Sequence, residues 1–551
     1  MTRKRILLVG GAGVFGSRLA RGLADTVDAD VLIAGRSLAK ARAIARNVKA
    51  AGAVALDRSK ASEDDVRALS VDLVIDAAGP FQGADLSFAR ACMAAGVDYL
   101  DLADGRDFVA AFPVLDAEAQ AKGVRAVTGA SSTPAITHAA LDEMTRGWTR
   151  LDSIRAGISP GNRAPRGRSV VEAILSWAGS PVRVFEDGAW RTRPGWSGTQ
   201  TRRVGALGRR RFALAETPDL DLLPQRFGPR EDAVFMAGLE LGVLHRGLGV
   251  LGWLKAIGVA QTYAPVAGAL RWLSSLLQPF GSDRGGMFVE VLGRDADGKP
   301  ARAEWTLVSP PVVGPFTPTL PALAMVRKLL AGDAVAPGAR ACVGMLQLAD
   351  LQGDFERVGL ATGIARETMA GPFEMALGDA FARLPEAVKA AHRQGPVSRF
   401  EGHAAVEGAN ALAFVPARLF GFPRTAARAT VRVTKRLAAP GRETWEREIG
   451  GSRFRSEITY AGPGRVTERF GPFTFTLALE ASQERLTMGI VGWRMGWVPL
   501  PAFLAPRSVA HESINGNGVF TFDVPIAAPL LGRLTRYKGE LQLQTKDGRA
   551  P

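Results

Sequence analysis

The chain has 551 residues, with 69 Lys+Arg against 54 Asp+Glu, a formal net charge of +15 and 47% hydrophobic residues. At about 150 residues per domain this is a multidomain length, and the apolar share excludes a disordered polyelectrolyte. Two cysteines, Cys92 and Cys342, exclude a disulfide scaffold and a four-cysteine zinc site, and suit a reducing cytoplasm.

Only 12 of the basic residues are Lys, and the densest knot, Arg202-Arg203 with Arg209-Arg210-Arg211, is neither a stripe nor a tail. Nucleic-acid proteins concentrate their charge, so no nucleic-acid partner is expected. After the basic opening, four apolar residues before Gly10 are too few for a secretory signal, and a cytoplasmic location is expected. Residues 305–326 are uncharged, but their prolines forbid a regular spanning helix. The apolar stretch 239–277 is cut by His245, Arg246, Lys255 and Arg271. It reads as core or amphipathic helices, compatible with peripheral membrane contact.

Ile6-Leu7-Leu8-Val9 is a short apolar strand running directly into Gly10-Gly11-Ala12-Gly13-Val14-Phe15-Gly16, after which residues 17–24 follow helical spacing. Gly11, Gly13 and Gly16 form G-x-G-x-x-G between strand and helix, the setting in which that pattern holds a pyrophosphate. Gly11 permits the turn, Gly13 the close approach of phosphate, and Gly16 the packing of helix on strand. The helix start adds unpaired N–H groups and a positive dipole end. Gly11, Ala12, Gly13, Val14, Phe15 and Gly16 are therefore assigned to cofactor contact.

A second strand over 30–34 ends in Gly35-Arg36-Ser37. Arg36 stands 20 residues after Gly16, where an NAD-binding domain carries an acid for the ribose 2′-hydroxyl. A guanidinium there, followed by Ser37, suits a 2′-phosphate, and Lys40 lies one helical turn on. NADP is expected over NAD.

The alternation continues through a third strand over 54–57, whose final Asp57 joins the cofactor contacts. Ser62 and Asp65 form a capping box for the next helix. A fourth strand over 71–76 ends in Ala77-Ala78-Gly79-Pro80, a break facing the ligand crevice at the C-terminal edge of the sheet. Helices over 86–95 and 115–122 and strands over 99–101 and 125–128 complete six βα steps. Right-handed parallel crossovers make residues 1–135 a Rossmann domain, a doubly wound parallel α/β sheet.

Asp101, Asp104, Ser132 and His138 are the polar candidates for holding substrate or relaying a proton, with Asp104, Ser132 and His138 assigned as catalytic. Their plainer roles are a helix cap, a partner for backbone donors and a structural histidine. Tyr99, Tyr263, Tyr460 and Tyr537 are followed four residues later by Ala103, Ala267, Gly464 and Leu541, so the Tyr/Lys pair of short-chain dehydrogenases is missing. Neither G-x-S-x-G nor H-E-x-x-H occurs. No metal site is expected.

Five segments in order resemble the saccharopine dehydrogenase-like oxidoreductases. They are Gly10 to Gly16, Ala34 to Ser37, Asp76 to Gln82, Gly96 to Asp104 and Gly129 to Pro134. The resemblance implies cofactor contacts by the glycine loop, Arg36 and the turn Ala77, Ala78, Gly79 and Pro80. It does not imply saccharopine as substrate.

Residues 136–350 read as an α+β substrate domain. Strands are expected over 154–158 and 182–185 and a helix over 169–177. A hairpin turns at Asp295 to Gly298, and an apolar helical region covers 233–277. Pro218 to Phe227 resembles a segment of the same family that bridges lobes. After a helical stretch over 373–392, residues 369–551 carry successive short strands with Gly/Pro turns, an antiparallel β-rich domain or barrel. Trp445-Glu446-Arg447, Glu468-Arg469-Phe470-Gly471 and Pro499-Leu500-Pro501 resemble a bacterial C-terminal family of unknown function. Phe470, Phe473 and Phe475 are expected to fill the barrel.

The reading is an NADP-dependent oxidoreductase acting on a hydrophobic or acyl-type small molecule. A nucleotide-sensing or lipid-binding protein without catalysis and a literal amino-acid dehydrogenase stand beside it. A homo-oligomer is compatible with the sequence.

Overall fold

Ile6, Leu7, Leu8 and Val9 are buried on both strand faces, as the centre of a parallel sheet requires. In the computed structural model, which describes residues 3–165, 174, 176–259, 268, 272, 275–332, 335–393, 395–419 and 421–544, they form β1 (Lys4–Val9). Parallel to it lie β2 (Ala29–Gly35), β3 (Gly52–Ala55), β4 (Leu73–Asp76), β5 (Asp98–Asp101) and β6 (Arg125–Thr128). The sheet order, from one edge, is the strand Gly338–Ala341, β6, β5, β4, β1, β2, β3. The order reverses between β1 and β4, the switch point where a doubly wound sheet opens its ligand crevice. Helix α1 (Gly16–Thr26) buries Leu19, Ala20 and Leu23 against the sheet.

Two details depart from expectation. The third strand ends at Ala55, so Asp57 lies beyond it. The strand Gly338–Ala341 pairs with β6 in parallel, although it follows the whole middle region in sequence. It closes an otherwise open edge, and Asp116 anchors it by accepting the Ala339 N–H at 2.8 Å. Its Gly-Ala-Arg-Ala sequence carries no apolar run to announce it.

The chain divides into two compact units: Met1–Arg146, Ser153–Val291 and Ala303–Ala365 in the first, and Gly147–Asp152, Leu292–Arg302 and Arg366–Pro551 in the second. The middle region forms a mixed sheet whose strands run Gln200–Val204, Gly208–Leu214, Asp232–Ala237, Arg150–Ser159, Gly285–Arg294, Pro300–Ser309, Ala361–Thr368, with a hairpin Pro181–Glu186 and Ala189–Pro194 at Asp232–Ala237. Asp232–Ala237 corrects the helical expectation for 233–277: it is a buried strand parallel to Arg150–Ser159. A short, fully apolar run does not distinguish a buried strand from a buried helix. The helix Gly242–Ala256 buries His245, Leu248 and Gly252 and exposes Val243, Val250 and Trp253. Residues 260–267, 269–271 and 273–274 of that region, and most of the helix expected over 169–177, lie outside the described residues. The basic knot is a hairpin pairing Arg202 with Arg210 across strands, and Arg210 bonds Glu240 at 3.0 Å.

In the second unit, strands from Val397 to Leu543 close an antiparallel barrel of ten strands, with the two-residue strand Val498–Pro499 appended. Phe473–Ala481 pairs with Arg485–Met495 to complete it. Side chains alternate: Val431, Val433, Trp445, Ile458 and Leu477 fill the interior, while cross-strand pairs such as Arg432–Glu401 and Arg469–Glu457 face outward. An apolar interior and charged exterior are the reverse of a membrane-spanning barrel. No helix among the described residues is long and apolar enough to cross a membrane.

Candidate functional site

The crevice at the C-terminal ends of β1, β2, β4, β5 and β6 begins with Gly10, one residue before the predicted pattern. Its φ of +76° makes the turn, and its N–H donates to the Ala34 carbonyl at 2.9 Å. A Cβ there would stand 2.8 Å from the backbone of Ala77 and Ala78. Sequence spacing gives the turn to Gly11; the structure gives it to Gly10, while a Cβ on Gly11 would press Ile33 at 2.7 Å. Gly16 packs α1 onto the loop so closely that a Cβ would sit 2.2 Å from the Gly10 carbonyl oxygen. Ala12 and Gly13 are exposed, Val14 and Phe15 half-buried. Among the described residues the N–H groups of Ala12, Val14 and Phe15 have no protein acceptor, and they lie at the positive end of α1.

Beyond β2, Arg36 and Lys40 are exposed, with no carboxylate in ion-pair range among the described residues. Ser37 caps the helix Leu38–Asn47, its Oγ accepting the Lys40 N–H at 3.4 Å. Asp57 accepts the Ser59 hydroxyl and N–H at 2.9 and 3.2 Å. These bonds, with Arg36 and Lys60 nearby, hold its carboxyl below the usual range. These exposed cations, the capped serine and the loop amides fit the phosphates of a dinucleotide.

The turn from Ala77 to Pro80 is pinned by a pair that sequence spacing does not announce. Asp76 ends β4 fully buried, accepting Arg58 Nη1 at 2.6 Å and the Ala78 N–H at 2.9 Å. The second Arg58 nitrogen donates to the Pro80 carbonyl at 2.9 Å, and the guanidinium lies 4.7 Å over the Phe81 ring. Burial raises the Asp76 carboxyl, opposed by Arg58. The one signal available was an acid closing an otherwise apolar strand.

Asp101, a candidate for substrate contact, is instead committed to the fold. Its Oδ1 accepts Gly129 N–H at 2.7 Å and the Ala103 N–H and Thr128 hydroxyl, each at 2.9 Å. Its Oδ2 is buried without a partner among the described residues. Burial pushes the carboxyl up to about 7 against those hydrogen bonds. Asp104 is exposed at the crevice and accepts Gln82 Nε2 at 3.1 Å.

Ser132 and Thr133 follow Gly129 into a short π-turn; both hydroxyls are buried and without partners among the described residues. His138 is fully buried on the next helix. Its Nδ1 stands 3.4 Å from Arg226 Nη1, and its Nε2 lies 3.5 Å from Asp219. Asp219 also accepts the Thr137 hydroxyl at 2.7 Å. Of the three residues assigned as catalytic, Asp104 reaches solvent and Ser132 and His138 do not. The segment resembling a lobe bridge is the helix Asp219–Phe227. Besides Asp219, its Asp221 takes both forks of Arg106 at 2.6 and 2.7 Å, and its Arg226 bonds Asp142 at 2.8 Å.

Removing Arg58 leaves Asp76 buried without its cation. Arg58→Ala is expected to cost about 3 kcal/mol in chemical denaturation, with Asp76→Asn in that background recovering most of it. The Asp101 carboxyl titrates higher in the folded chain than in the unfolded one. Its contribution is therefore complete below about pH 4 and lost as pH rises through about 7. Melts of wild type against Asp101→Asn should show the wild type losing roughly 2–3 kcal/mol relative to the variant between about pH 5 and about pH 8.

Residues 6–138 match the saccharopine dehydrogenase NADP-binding domain, and residues 384–541 match a domain of unknown function (DUF4166). Carboxyaminopropylagmatine dehydrogenase of Synechocystis sp. is 40% identical over 106 residues, 18% of this chain and 26% of that protein. The chain thus spans about a quarter of the length of this relative. Saccharopine dehydrogenase (L-Glu forming) from Saccharomyces cerevisiae superposes with a TM-score of 0.50 at 15% identity, over 66% of this chain and 100% of that one, a likeness of fold. By these matches the chain is saccharopine dehydrogenase-like in its N-terminal domain, with a C-terminal barrel similar to a family of unknown function.

Proposed function

We propose that this chain is an NADP-dependent oxidoreductase acting on a hydrophobic or acyl-type small molecule. The observation that carries the reading is the combination of N–H groups on Ala12, Val14 and Phe15 that have no acceptor among the described residues with the exposed cations of Arg36 and Lys40. The amides receive the pyrophosphate, and Arg36 with the Ser37 hydroxyl receives the 2′-phosphate. Ala77 to Pro80, held by Arg58 and Asp76, forms the wall on the other side of the switch point. When bound, the dinucleotide supplies or accepts a hydride.

The chain's own residues then bind and orient. Asp104 and Gln82 offer the solvent-open polar pair at the crevice, and Asp104 is the residue assigned to hold or move a proton. Ser132, whose buried hydroxyl has no partner among the described residues, is the second residue assigned to the reaction. His138, shut away between Arg226 and Asp219, is a positioning residue that ties its helix to Asp219–Phe227. The apolar helix Gly242–Ala256 supports an apolar substrate over an amino acid.

Fluorescence titration separates cofactor from phosphate recognition. Wild type should bind NADPH more tightly than NADH. Arg36→Ala should weaken NADPH by roughly 1.5–3 kcal/mol, about 10- to 100-fold, and leave NADH nearly unchanged. Equal weakening of both would remove Arg36 from the 2′-phosphate site.

A further inference from the structure

The barrel of the second unit encloses a cavity of about 160 Å³ lined mainly by apolar side chains. Three residues that carry its family resemblance, Trp445, Arg447 and Glu468, converge on it. Arg447 donates to Ser456 Oγ at 2.8 Å and to Glu468 at 3.1 Å, the Ser456 hydroxyl donates to Glu468 at 2.7 Å, and the guanidinium lies 4.6 Å over the Trp445 ring. His392 pairs with Glu512 at 2.5 Å. The Lys435 ammonium donates to the Ala391 carbonyl at 2.9 Å and sits 3.7 Å over Trp445. The polar groups are thus engaged with one another, with a carbonyl or with a ring. A guest meets Ile449, Ile458, Leu477, Ile490, Phe522 and Leu541. An apolar cavity near 150 Å³ stays dry and accepts a benzene-sized group, so this one suits part of a hydrocarbon chain, not an ionised head.

The two ends of the barrel differ. One is plugged by the helices Pro372–Leu377 and Glu386–His392, tied down by Gly464 N–H on the Ala376 carbonyl and by Lys435 on Ala391. The register gathers the connections 408–419, 421–425, 495–508 and 529–531 at the other, where Arg507 bridges Ala527 and Asn410 N–H reaches the Arg533 carbonyl. The cavity lining extends to that end through Phe422, Pro506, Ser508 and Leu534. Its loops carry Trp497, Phe503 and Leu530 at 87, 76 and 91% exposure, with Leu412, Phe414 and Val415 also exposed. Such a cluster of exposed apolar tips marks an interaction surface. Arg418, Arg424, Arg494 and Arg507 are exposed around them, without an ion pair among the described residues. The carboxylates there, Glu407 and Glu448, are already paired with Arg533 and Arg453.

We propose that this end of the barrel docks on an anionic lipid bilayer, its apolar tips entering the interface, and that one acyl chain of a bilayer lipid passes into the cavity. Aromatic and aliphatic tips ringed by arginine are the chemistry an anionic interface selects. The interior, with its charges spent internally, takes the chain, while the lipid head stays among the rim arginines.

Cosedimentation of the full chain with phosphatidylglycerol vesicles tests the docking. Binding is expected there, at least tenfold weaker on phosphatidylcholine vesicles. It should also be at least tenfold weaker for the triple variant Trp497→Ser, Phe503→Ser, Leu530→Ser, whose exposed positions leave the fold intact. No binding to phosphatidylglycerol, or equal binding by the triple variant, would overturn the proposal. Native mass spectrometry of protein recovered from the vesicles should find one phosphatidylglycerol per chain. Ser508→Trp, which fills the cavity mouth, should lose that lipid while still sedimenting with the vesicles. Absence of retained lipid in wild type, or retention undiminished by Ser508→Trp, would remove the cavity from the assignment.

Discussion

Asp76 and Asp101 stand opposite each other in register at the ends of adjacent parallel strands, both with their carboxylates fully buried. Two negative charges so placed are not equally supported by a low-dielectric interior. The structure resolves the conflict by treating them differently. Asp76 receives the guanidinium of Arg58, whereas Asp101 receives only neutral donors on one oxygen and none on the other. The first, raised by burial against the pull of Arg58, fixes the Ala77 to Pro80 turn through that guanidinium. The second holds its proton up to about pH 7 and fastens the end of β5 to Thr128 and Gly129. The crevice wall on the β4 side of the switch point depends on this pair. The tight approach of Gly10 to Ala77 and Ala78 would have no fixed surface without it.

A second set of charges joins the middle region to this frame. The helix Asp219–Phe227 meets the Rossmann domain through Asp219, Asp221 and Arg226, each taken by a different residue: Thr137, Arg106 and Asp142. Arg106 is buried, and its fork-to-fork geometry with Asp221 fixes direction as well as distance. This explains why a strand far along the chain, Gly338–Ala341, can return to complete the parallel sheet: the middle region is held as an insertion with both of its ends on the Rossmann frame.

What could be read in advance follows from periodicity. The glycine loop, the six βα steps and the capping box at Ser62 and Asp65 are local patterns; the capping box forms as spaced, while the turn falls on Gly10 instead of Gly11 and the third strand ends at Ala55. Elements whose partners are distant carry no such mark. Gly338–Ala341 is nearly featureless in composition, and Asp232–Ala237 is an apolar run equally suited to either secondary structure. The barrel strand Val509–Ile514 carries Glu512 at an inward position that alternation reserves for an apolar residue. At the site, the glycine loop and Arg36 are legible because each follows directly on an apolar strand. Arg58 and the burial of His138 are not, because both depend on contacts made only after folding.

The excess of arginine over lysine takes its meaning from the same geometry. A planar guanidinium can satisfy a buried carboxylate at two points and still stack on a ring, which an ammonium cannot. Arg106 and Arg125 each grip one carboxylate, Asp221 and Asp98, through two nitrogens, while Arg58 and Arg447 pair with Asp76 and Glu468 and lie over the rings of Phe81 and Trp445. Arginines spent on internal acids add nothing to the field outside, so the net charge of +15 must be expressed by those left over. Among the described residues these include Arg36 beside the glycine loop and Arg418, Arg424, Arg494 and Arg507 around one end of the barrel. In both places an exposed guanidinium stands beside a shaped backbone turn or an apolar rim.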